Sequence, residues 1–201
     1  MSLISRVQNI LLKPKAEWAV FDAEPATVNG ILTSYVMILA AIGPICSVIG
    51  QSVIGIYGFK MPFQFTIASA VFAYILAIVS VYIAALVIDA LAPSFGATKD
   101  KVRAMKVAAY ASTPYFIAGV FQLLPMLAWV VWIGSLYGWY LLYLGLGAVM
   151  KSPQDKSIVY TIVVVVVEVI IAVVFAMIVG MIVVSLFGAA LMGGAAALPH
   201  Y

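Results

Sequence analysis

Five long apolar stretches, none of which contains a lysine or an arginine, constrain what this chain of 201 residues can fold into. A helix needs about 20 apolar residues to cross a hydrocarbon core of roughly 30 Å. The stretches therefore predict an all-α, polytopic bundle of five transmembrane helices, with spans at 30–50, 65–91, 107–124, 128–149 and 158–180. The last span is rich in valine like a strand, but an open sheet edge cannot lie in lipid.

The composition agrees with lipid as the solvent. Hydrophobic residues make up 66% of the chain and charged residues only 8%, whereas a soluble domain carries about 25% charged residues. This excludes a soluble enzyme, a disordered tail and a collagen-like rod. The net charge of +3 comes from basic residues spread thinly between apolar stretches, so we expect no nucleic-acid partner. The single cysteine, Cys46, has no partner for an intramolecular disulfide.

The basic residues in the connections predict the orientation, because Lys and Arg are retained on the cytoplasmic side of a membrane. Nine of the ten lie in the N-terminal segment and in the second-to-third and fourth-to-fifth connections: Arg6, Lys13, Lys15, Lys99, Lys101, Arg103, Lys106, Lys151 and Lys156. Only Lys60 lies in the other connections. We therefore predict a cytoplasmic N-terminus and a C-terminus on the outside.

Residues 1–28 predict a cytoplasmic, amphipathic segment at the membrane interface, since apolar residues recur there at helical spacing. We expect Trp18 and Phe21 to anchor at headgroup level, with Lys13 and Lys15 facing anionic lipid. The segment is either a tether on the bilayer or a docking site for a cytosolic partner. Residues 29–188 form the predicted membrane domain and 189–201 a short Gly/Ala-rich tail. Residues 181–198 stay apolar and either extend the fifth helix or lie at the interface.

Glu168 lies near the middle of the fifth span, about 15 Å from its start. An ionisable group at that depth costs a few kcal/mol, so we expect it to be protonated or hydrogen-bonded. Three interpretations remain open: a neutral acid that ties two helices together, a proton or cation site, and a water-filled cavity.

Small residues at a spacing of four let helix backbones approach in lipid. This pattern predicts helix-packing positions at Gly134, Gly138, Ala172, Ala176 and Gly180. Asp89, at the end of the second span, opposes its helix dipole. We expect an ion pair with the Lys99–Lys106 cluster or an acid at the interface.

The third span contains a kink sequence in which Pro114 frees the carbonyl of Tyr110 from its helical partner. The hydroxyls of Ser112, Thr113 or the neighbouring tyrosines can satisfy that carbonyl. Such kinks are ordinary structural features, but kinked polar helices also occur in transporters.

Signatures of enzymes are missing from the sequence. The one histidine is His200, next to the last residue, so a histidine-based triad or zinc site inside the bundle has no ligand. No HExxH, GxSxG or Gly-rich phosphate loop occurs. We expect no enzyme activity, no catalytic residues, no cofactor and no metal site.

The chain resembles the Yip (Ypt-interacting protein) domain family, in particular its small bacterial members. The likeness lies in ASTPY at 111–115, LP at 124–125 and GWYLLYLG at 138–145, with weaker similarity at Lys13–Pro14, Trp18 and 167–169. The resemblance implies a five-span protein of the bacterial inner membrane with a cytoplasmic N-terminus. Eukaryotic members are associated with Rab-type GTPases and vesicle traffic. This chain lacks their long N-terminal region and their DLYGP element.

Two hypotheses follow. The first is a non-enzymatic protein that organises the membrane or binds partners, either anionic lipid headgroups or protein, through a cytoplasmic basic face at Lys99, Lys101, Arg103 and Lys106. The second is a small ion- or proton-coupled transporter or channel, as a homo-oligomer, that uses a polar path of Glu168, Asp89, Tyr110, Thr113 and Pro114. Partners in either case are the lipid bilayer and another membrane protein or a second copy of the chain.

Overall fold

The computed structural model describes residues 2–55 and 59–195, with the side chains of the last helix described through 177 and at Met181. No strand forms among these residues. Apart from short 3-10 turns, eight helices follow one another in the described residues: α1 (Leu3–Leu12), α2 (Pro14–Ala23), α3 (Val28–Ile54), α4 (Phe63–Leu91), α5 (Lys101–Ala111), α6 (Thr113–Ala118), α7 (Val130–Ala148) and α8 (Gln154–Ala195). The predicted helical bundle is confirmed.

Four segments of the described chain are long and apolar enough to cross a membrane: Val28–Ile54, Phe63–Phe95, Pro125–Ala148 and Gln154–Met177. The third predicted span, 107–124, is not one continuous helix. It consists of the end of α5, the short helix α6 and a 3-10 turn at Gly119–Leu123. The break comes at Ser112, because Pro114 lacks the N–H that would continue the α-helical ladder.

The broken span forms the centre of the bundle. Residues 104–111 of α5 are all buried, and α5 contacts α3, α4 and α7 while α6 packs on α7. Helix α8 lies at the edge, against α4 and α7. Among its described side chains, through 177 and at Met181, the buried ones lie in the first three turns: Ser157, Tyr160, Thr161 and Val164.

Helices α1 and α2 form an N-terminal hairpin that packs on the bundle. Trp18 and Phe21 are completely buried, so they are interior residues and not the headgroup-level anchors that we predicted. The indole of Trp18 lies so close to Gly145 of α7 that an added Cβ would come within 2.8 Å of the ring. The part of the hairpin around Trp18 and Phe21 is therefore covered by protein, whereas Ile4 and Leu12 remain exposed.

Helix α8 continues without interruption to Ala195. It therefore includes the first seven residues of the predicted tail, 189–195, while residues 196–201 lie outside the described part of the chain. Of the two alternatives for 181–198, the structure has helix as far as it is described.

Candidate functional site

Three connections that carry nine of the ten basic residues meet at one end of the bundle, which we call the basic end (residues 2–27, 92–106 and 149–157). Asp22 of α2 joins them, since its carboxylate lies 2.6 Å from Lys151 and 3.4 Å from Arg103. Arg103 also donates to the carbonyl of Val149 at 2.8 Å. The hairpin, the start of α5 and the α7–α8 connection are thus held together by charge-assisted bonds.

Lys151 has a left-handed backbone with φ of 58°, a conformation that costs a non-glycine residue about 1 kcal/mol or more. Its ammonium donates to Asp22 and, at 2.6 Å, to the carbonyl of Ala148 at the end of α7. The strained turn therefore directs the lysine toward both the hairpin and the open end of α7.

Lys106 is buried, in contrast to the exposed basic face that we predicted for it. Its ammonium donates to the carbonyls of Phe21 at 2.6 Å and Glu24 at 2.5 Å. These carbonyls lie at the C-terminal end of α2, where backbone acceptors have no helical partner. Burial lowers the pKa of Lys106 below its usual value.

Arg103 is half-buried and bonded, so of the four predicted basic positions only Lys99 and Lys101 remain exposed. Among the other lysines of the basic end, Lys151 is exposed but bonded to Asp22, whereas Lys13, Lys15 and Lys156 are exposed without such a bond and join Lys99 and Lys101 in a set of five. None of these five lies within ion-pair distance of a carboxylate in the described part of the chain. The exposed basic surface is therefore made of lysines from all three connections, and we call it the lysine surface.

Arg6 of α1 holds the two ends of the hairpin together. Its guanidinium lies 2.8 Å from both carboxylate oxygens of Glu24 and donates to the hydroxyl of Tyr110 at 2.9 Å. The hydrogen bonds from Arg6 hold the pKa of Glu24 below its usual range, and those to Glu24 raise the pKa of Arg6. The fork geometry of arginine suits such a two-point contact.

Tyr110 is the centre of an aromatic cluster between the hairpin and the bundle. Its ring stacks on Phe21 with centroids 3.7 Å apart, and Tyr35 and Trp18 approach it edge-on at 4.8 and 6.3 Å. The guanidinium of Arg6 lies over the rings of Phe21 and Tyr110, at distances where a cation is attracted to an aromatic face.

The kink in the third span has the predicted chemistry. Thr113 donates to the carbonyl of Tyr110 at 2.7 Å, which replaces the bond that Pro114 cannot make. Because the Thr113 hydroxyl proton is used there, the hydroxyl of Tyr35, 2.7 Å away, is the donor to Thr113. Tyr35 lies in a π-helical turn of α3, Leu32–Val36, a local form that is often found at functional sites.

A cleft of about 310 Å³ opens between the hairpin, α3 and α5. Its polar lining contains two cations, one carboxylate and several hydroxyls: Arg6, Lys106, Glu24, Thr27, Ser34, Tyr35 and Tyr110. Leu3, Ala26 and Ile31 supply apolar walls. Of the predicted polar path, only Tyr110 lines this cleft, with Thr113 and Pro114 behind it.

Glu168 lies on the stripe of α8 that includes Val164 and Ile171, the side that faces the bundle, and it has no hydrogen-bond or ion-pair partner in the described part of the chain. Ala172 and Ala176 are exposed on the flank of that stripe, so the predicted small-residue face of α8 is not packed against the bundle. The surroundings of Gly180 lie outside the described side chains.

Gly134 and Gly138 of α7, in contrast, lie tightly against the broken span. A Cβ at Gly134 would come within 2.7 Å of the carbonyl of Pro114, and one at Gly138 within 2.8 Å of the carbonyl of Ala111. Two glycines four residues apart therefore bring α7 close to α5 and α6.

Asp89 is buried in α4, and its Oδ1 atom has no hydrogen-bond partner. The ion pair that we expected with the 99–106 lysines is not formed. The neighbouring residue, Ile88, accepts a hydrogen bond from Tyr160 of α8. Because Glu168 lies eight residues beyond Tyr160, or about 12 Å along the helix, the structure does not bring Asp89 and Glu168 together.

Sequence reasoning missed the polar residues of the hairpin. Arg6, Asp22 and Glu24 form its contacts, and Glu17 is buried with one carboxylate oxygen unpaired. A signal was present in α5, where Lys106 is flanked on both sides by small or apolar residues, 104–105 and 107–109, which predict a helix that is packed on all sides. No group of three or more His, Cys, Asp or Glu side chains suited to a metal occurs among the described residues.

Comparison with known proteins identifies the fold family. The Yip1 domain profile matches residues 9–176. Two curated relatives, each named inner membrane protein YohC, come from Escherichia coli strain K12 and from Escherichia coli O6:H1 strain CFT073. Each is 28% identical over 167 residues, which covers 79% of this chain and 85% of the relative. No solved structure gives a significant match.

Proposed function

This chain belongs to the Yip1 domain family of membrane proteins, and from that premise we propose that it is a non-enzymatic inner-membrane protein that gathers anionic lipid at its basic end. The basic end is its cytoplasmic side in this proposal, as the distribution of Lys and Arg predicts.

The observation that carries the proposal is that the basic residues fall into two groups, one bonded within the protein and one without a carboxylate partner. Arg6, Arg103, Lys106 and Lys151 are bonded within the protein, where they fasten the hairpin. The five lysines of the lysine surface have no carboxylate partner among the described residues, so their charge remains available to an external anion. Each lysine near an anionic membrane surface contributes about 1 kcal/mol of attraction.

The test compares lysines at the two ends of the molecule. Native mass spectrometry of the purified protein counts the phosphatidylglycerol and phosphatidylcholine molecules that remain bound. We expect Lys99→Gln/Lys101→Gln to lower the average number of bound phosphatidylglycerols, because two free charges are lost. Lys60→Gln removes an exposed lysine from a different connection and should leave that number unchanged.

Equal retention of phosphatidylglycerol and phosphatidylcholine by the native protein would contradict the proposal. So would an equal loss in the Lys60 variant, since the effect would then not depend on the basic end. Charge reversal at Arg103 or Lys106 is a poor test of lipid attraction, because both side chains also hold the hairpin.

A second candidate, proton or cation transport, is favoured by one observation: the carboxyl group of Glu168 has no polar partner in the described chain and lies in the middle of an apolar helix. Intramembrane acids of this kind mark proton and ion pathways. Against it, no contact joins Asp89, Glu168 and the Tyr110 cluster into a continuous polar path in the part of the chain that the structure describes.

Liposomes that contain the protein and a pH-sensitive dye distinguish the two candidates. Transport predicts a proton flux that Glu168→Gln abolishes, while Asp155→Asn, at an exposed acid in the first turn of α8, leaves it intact. An absence of flux from the native protein, with thermal unfolding that shows all three forms folded, would contradict transport.

A further inference from the structure

The cleft beside the hairpin has an excess of positive charge. Arg6, Lys106 and Glu24 are the ionisable side chains with formal charge in its lining, which leaves a net charge of about +1 if each has its ordinary ionisation at neutral pH. The ammonium of Lys106 has no carboxylate within 4 Å among the described residues. Its two hydrogen bonds go to uncharged backbone carbonyls. A buried ammonium without an ionic partner is costly, so a bound anion would stabilise it.

Hydrogen-bond donors in the cleft are left over after the internal bonds have been made. The hydroxyl of Tyr110 accepts from Arg6, and its own proton has no acceptor among the described residues. The ammonium of Lys106 has three protons and uses two. Together with the remaining N–H groups of Arg6, these donors converge on one space from two helices, α1 and α5.

The cleft is also apolar on one side and lies where the chain enters the first membrane span. Leu3 and Ile31 line it, and Thr27 and Gly30 are at the start of α3. Polar donors next to an apolar wall at the beginning of a transmembrane helix suit a molecule with an anionic head and a hydrocarbon tail. A free phosphate ion would leave the apolar side uncovered.

We propose that this cleft binds the headgroup of a single anionic phospholipid, with its phosphodiester against Arg6, Lys106 and Tyr110 and its acyl chains along α3. The proposal rests on the proposed function and deepens it, because it separates one specifically held lipid from the diffuse attraction of the lysine surface. Lys106 is held in place by its carbonyl bonds, so the site is formed before the lipid arrives.

Neighbouring hydroxyl residues of α3 provide a matched pair of variants. Ser34 lines the cleft and Thr33 does not, although both are exposed and both donate to a carbonyl one turn earlier, at 2.6 and 2.8 Å. In native mass spectrometry with phosphatidylglycerol, we expect the native protein to retain one lipid at low lipid concentration. Ser34→Leu should block the cleft and weaken that first binding about tenfold, while Thr33→Leu should not.

A second pair removes a single hydroxyl. Tyr110→Phe keeps the aromatic stack but deletes the free donor, and a bond to a charged group of this kind corresponds to about tenfold in affinity. Tyr137→Phe deletes a hydroxyl that also ties the hairpin, through the carbonyl of Leu11 at 2.8 Å, but lies outside the cleft. The first variant should weaken retention of the single lipid, and the second should not.

The outcomes separate this inference from the proposed function. If Lys99→Gln/Lys101→Gln lowers total phosphatidylglycerol binding while Ser34→Leu and Tyr110→Phe keep the first lipid, the cleft site is wrong and the lysine surface stands. Equal loss in Thr33→Leu or Tyr137→Phe overturns the site as well. Displacement of the lipid by inorganic phosphate alone would show an anion site without lipid specificity and would also overturn it.

Discussion

The N-terminal hairpin and the membrane-spanning half of α8 (residues 154–177) are both helical and rich in apolar side chains, yet they are covered by different materials. The hairpin buries Ile10, Trp18 and Phe21 completely in protein. Most large side chains of α8 are exposed on the protein surface, among them Ile158, Ile162, Val166 and Ile170, and lipid must cover them. The hairpin is thus attached through packing and α8 chiefly through the bilayer.

The same two regions also differ in whether their charged side chains have partners. In the hairpin, Asp22 pairs with Arg103 and Lys151 of other segments, and Arg6, which is paired with Glu24 inside the hairpin, also donates to Tyr110 of α5. These contacts specify where the hairpin docks. In α8, Glu168 has no partner among the described residues and specifies no contact within one copy of the chain. A charged group therefore indicates tertiary structure only where a second group is present to meet it.

The largest effect expected from this comparison is at Trp18. Replacing a fully buried tryptophan by alanine removes apolar contacts and leaves a cavity, which costs about 3–5 kcal/mol. Trp18→Ala should lower the free energy of unfolding in mixed detergent micelles by that amount. Ile162→Ala on the exposed face of α8 should cost less than about 1 kcal/mol. Equal losses would show that the hairpin is not packed as described.

A second comparison tests overpacking. A Cβ at Gly145 would meet the indole of Trp18 at 2.8 Å, and inserted volume in a packed core costs about 1–3 kcal/mol. Gly145→Leu should therefore lower the unfolding temperature, whereas Ala172→Leu on α8 should leave it nearly unchanged. A clear loss in the Ala172 variant would instead indicate that a second protein covers that face.

The smallest effect concerns pH. The pKa of Glu24 is lowered in the folded state by Arg6, so its contribution to stability is present above its unfolded pKa of about 4.3 and is lost as the pH falls through the folded pKa. Because the Glu24 side chain is 40% exposed, we expect at most about 1 kcal/mol. Glu24→Gln should flatten the acid limb of stability against pH.

Arg6→Gln provides the control for that measurement, since it removes the partner and should flatten the same limb. The double variant should then add no further change in the pH dependence. A limb that stays steep in either single variant would mean that another acid dominates it.

The bundle and the kink were predictable because each depends on local sequence. Apolar length determines which segments enter a membrane, and Pro114 determines which carbonyl is freed, so the bond from Thr113 to Tyr110 followed from the kink. The break of the third span into α5 and α6 has the same cause. The sequence predicts the kink, but it does not by itself predict that the kink divides the span into two helices.

The candidate site was predictable only in part, because it depends on contacts between distant segments. An amphipathic pattern shows that one face of α1 and α2 is apolar but not whether lipid or protein covers it, so Trp18 and Phe21 were placed at the interface. Lys106 lies in a basic cluster in the sequence, and only the position of the α2 carbonyls explains its burial. Arg6 and Glu24 have no local pattern that joins them.

The order of synthesis determines when the hairpin can dock on the bundle. Asp22 and its partner Lys151 are 129 residues apart, and at about 5–20 residues per second the ribosome needs roughly 6–26 s to make that interval. We therefore expect the hairpin, although it precedes the bundle in the sequence, to dock only after α7 and the turn at Lys151 have been made. Until then the apolar face of the hairpin can lie only on the membrane surface. Interfacial binding is therefore an early stage of assembly, and burial of Trp18 marks the docking of the hairpin.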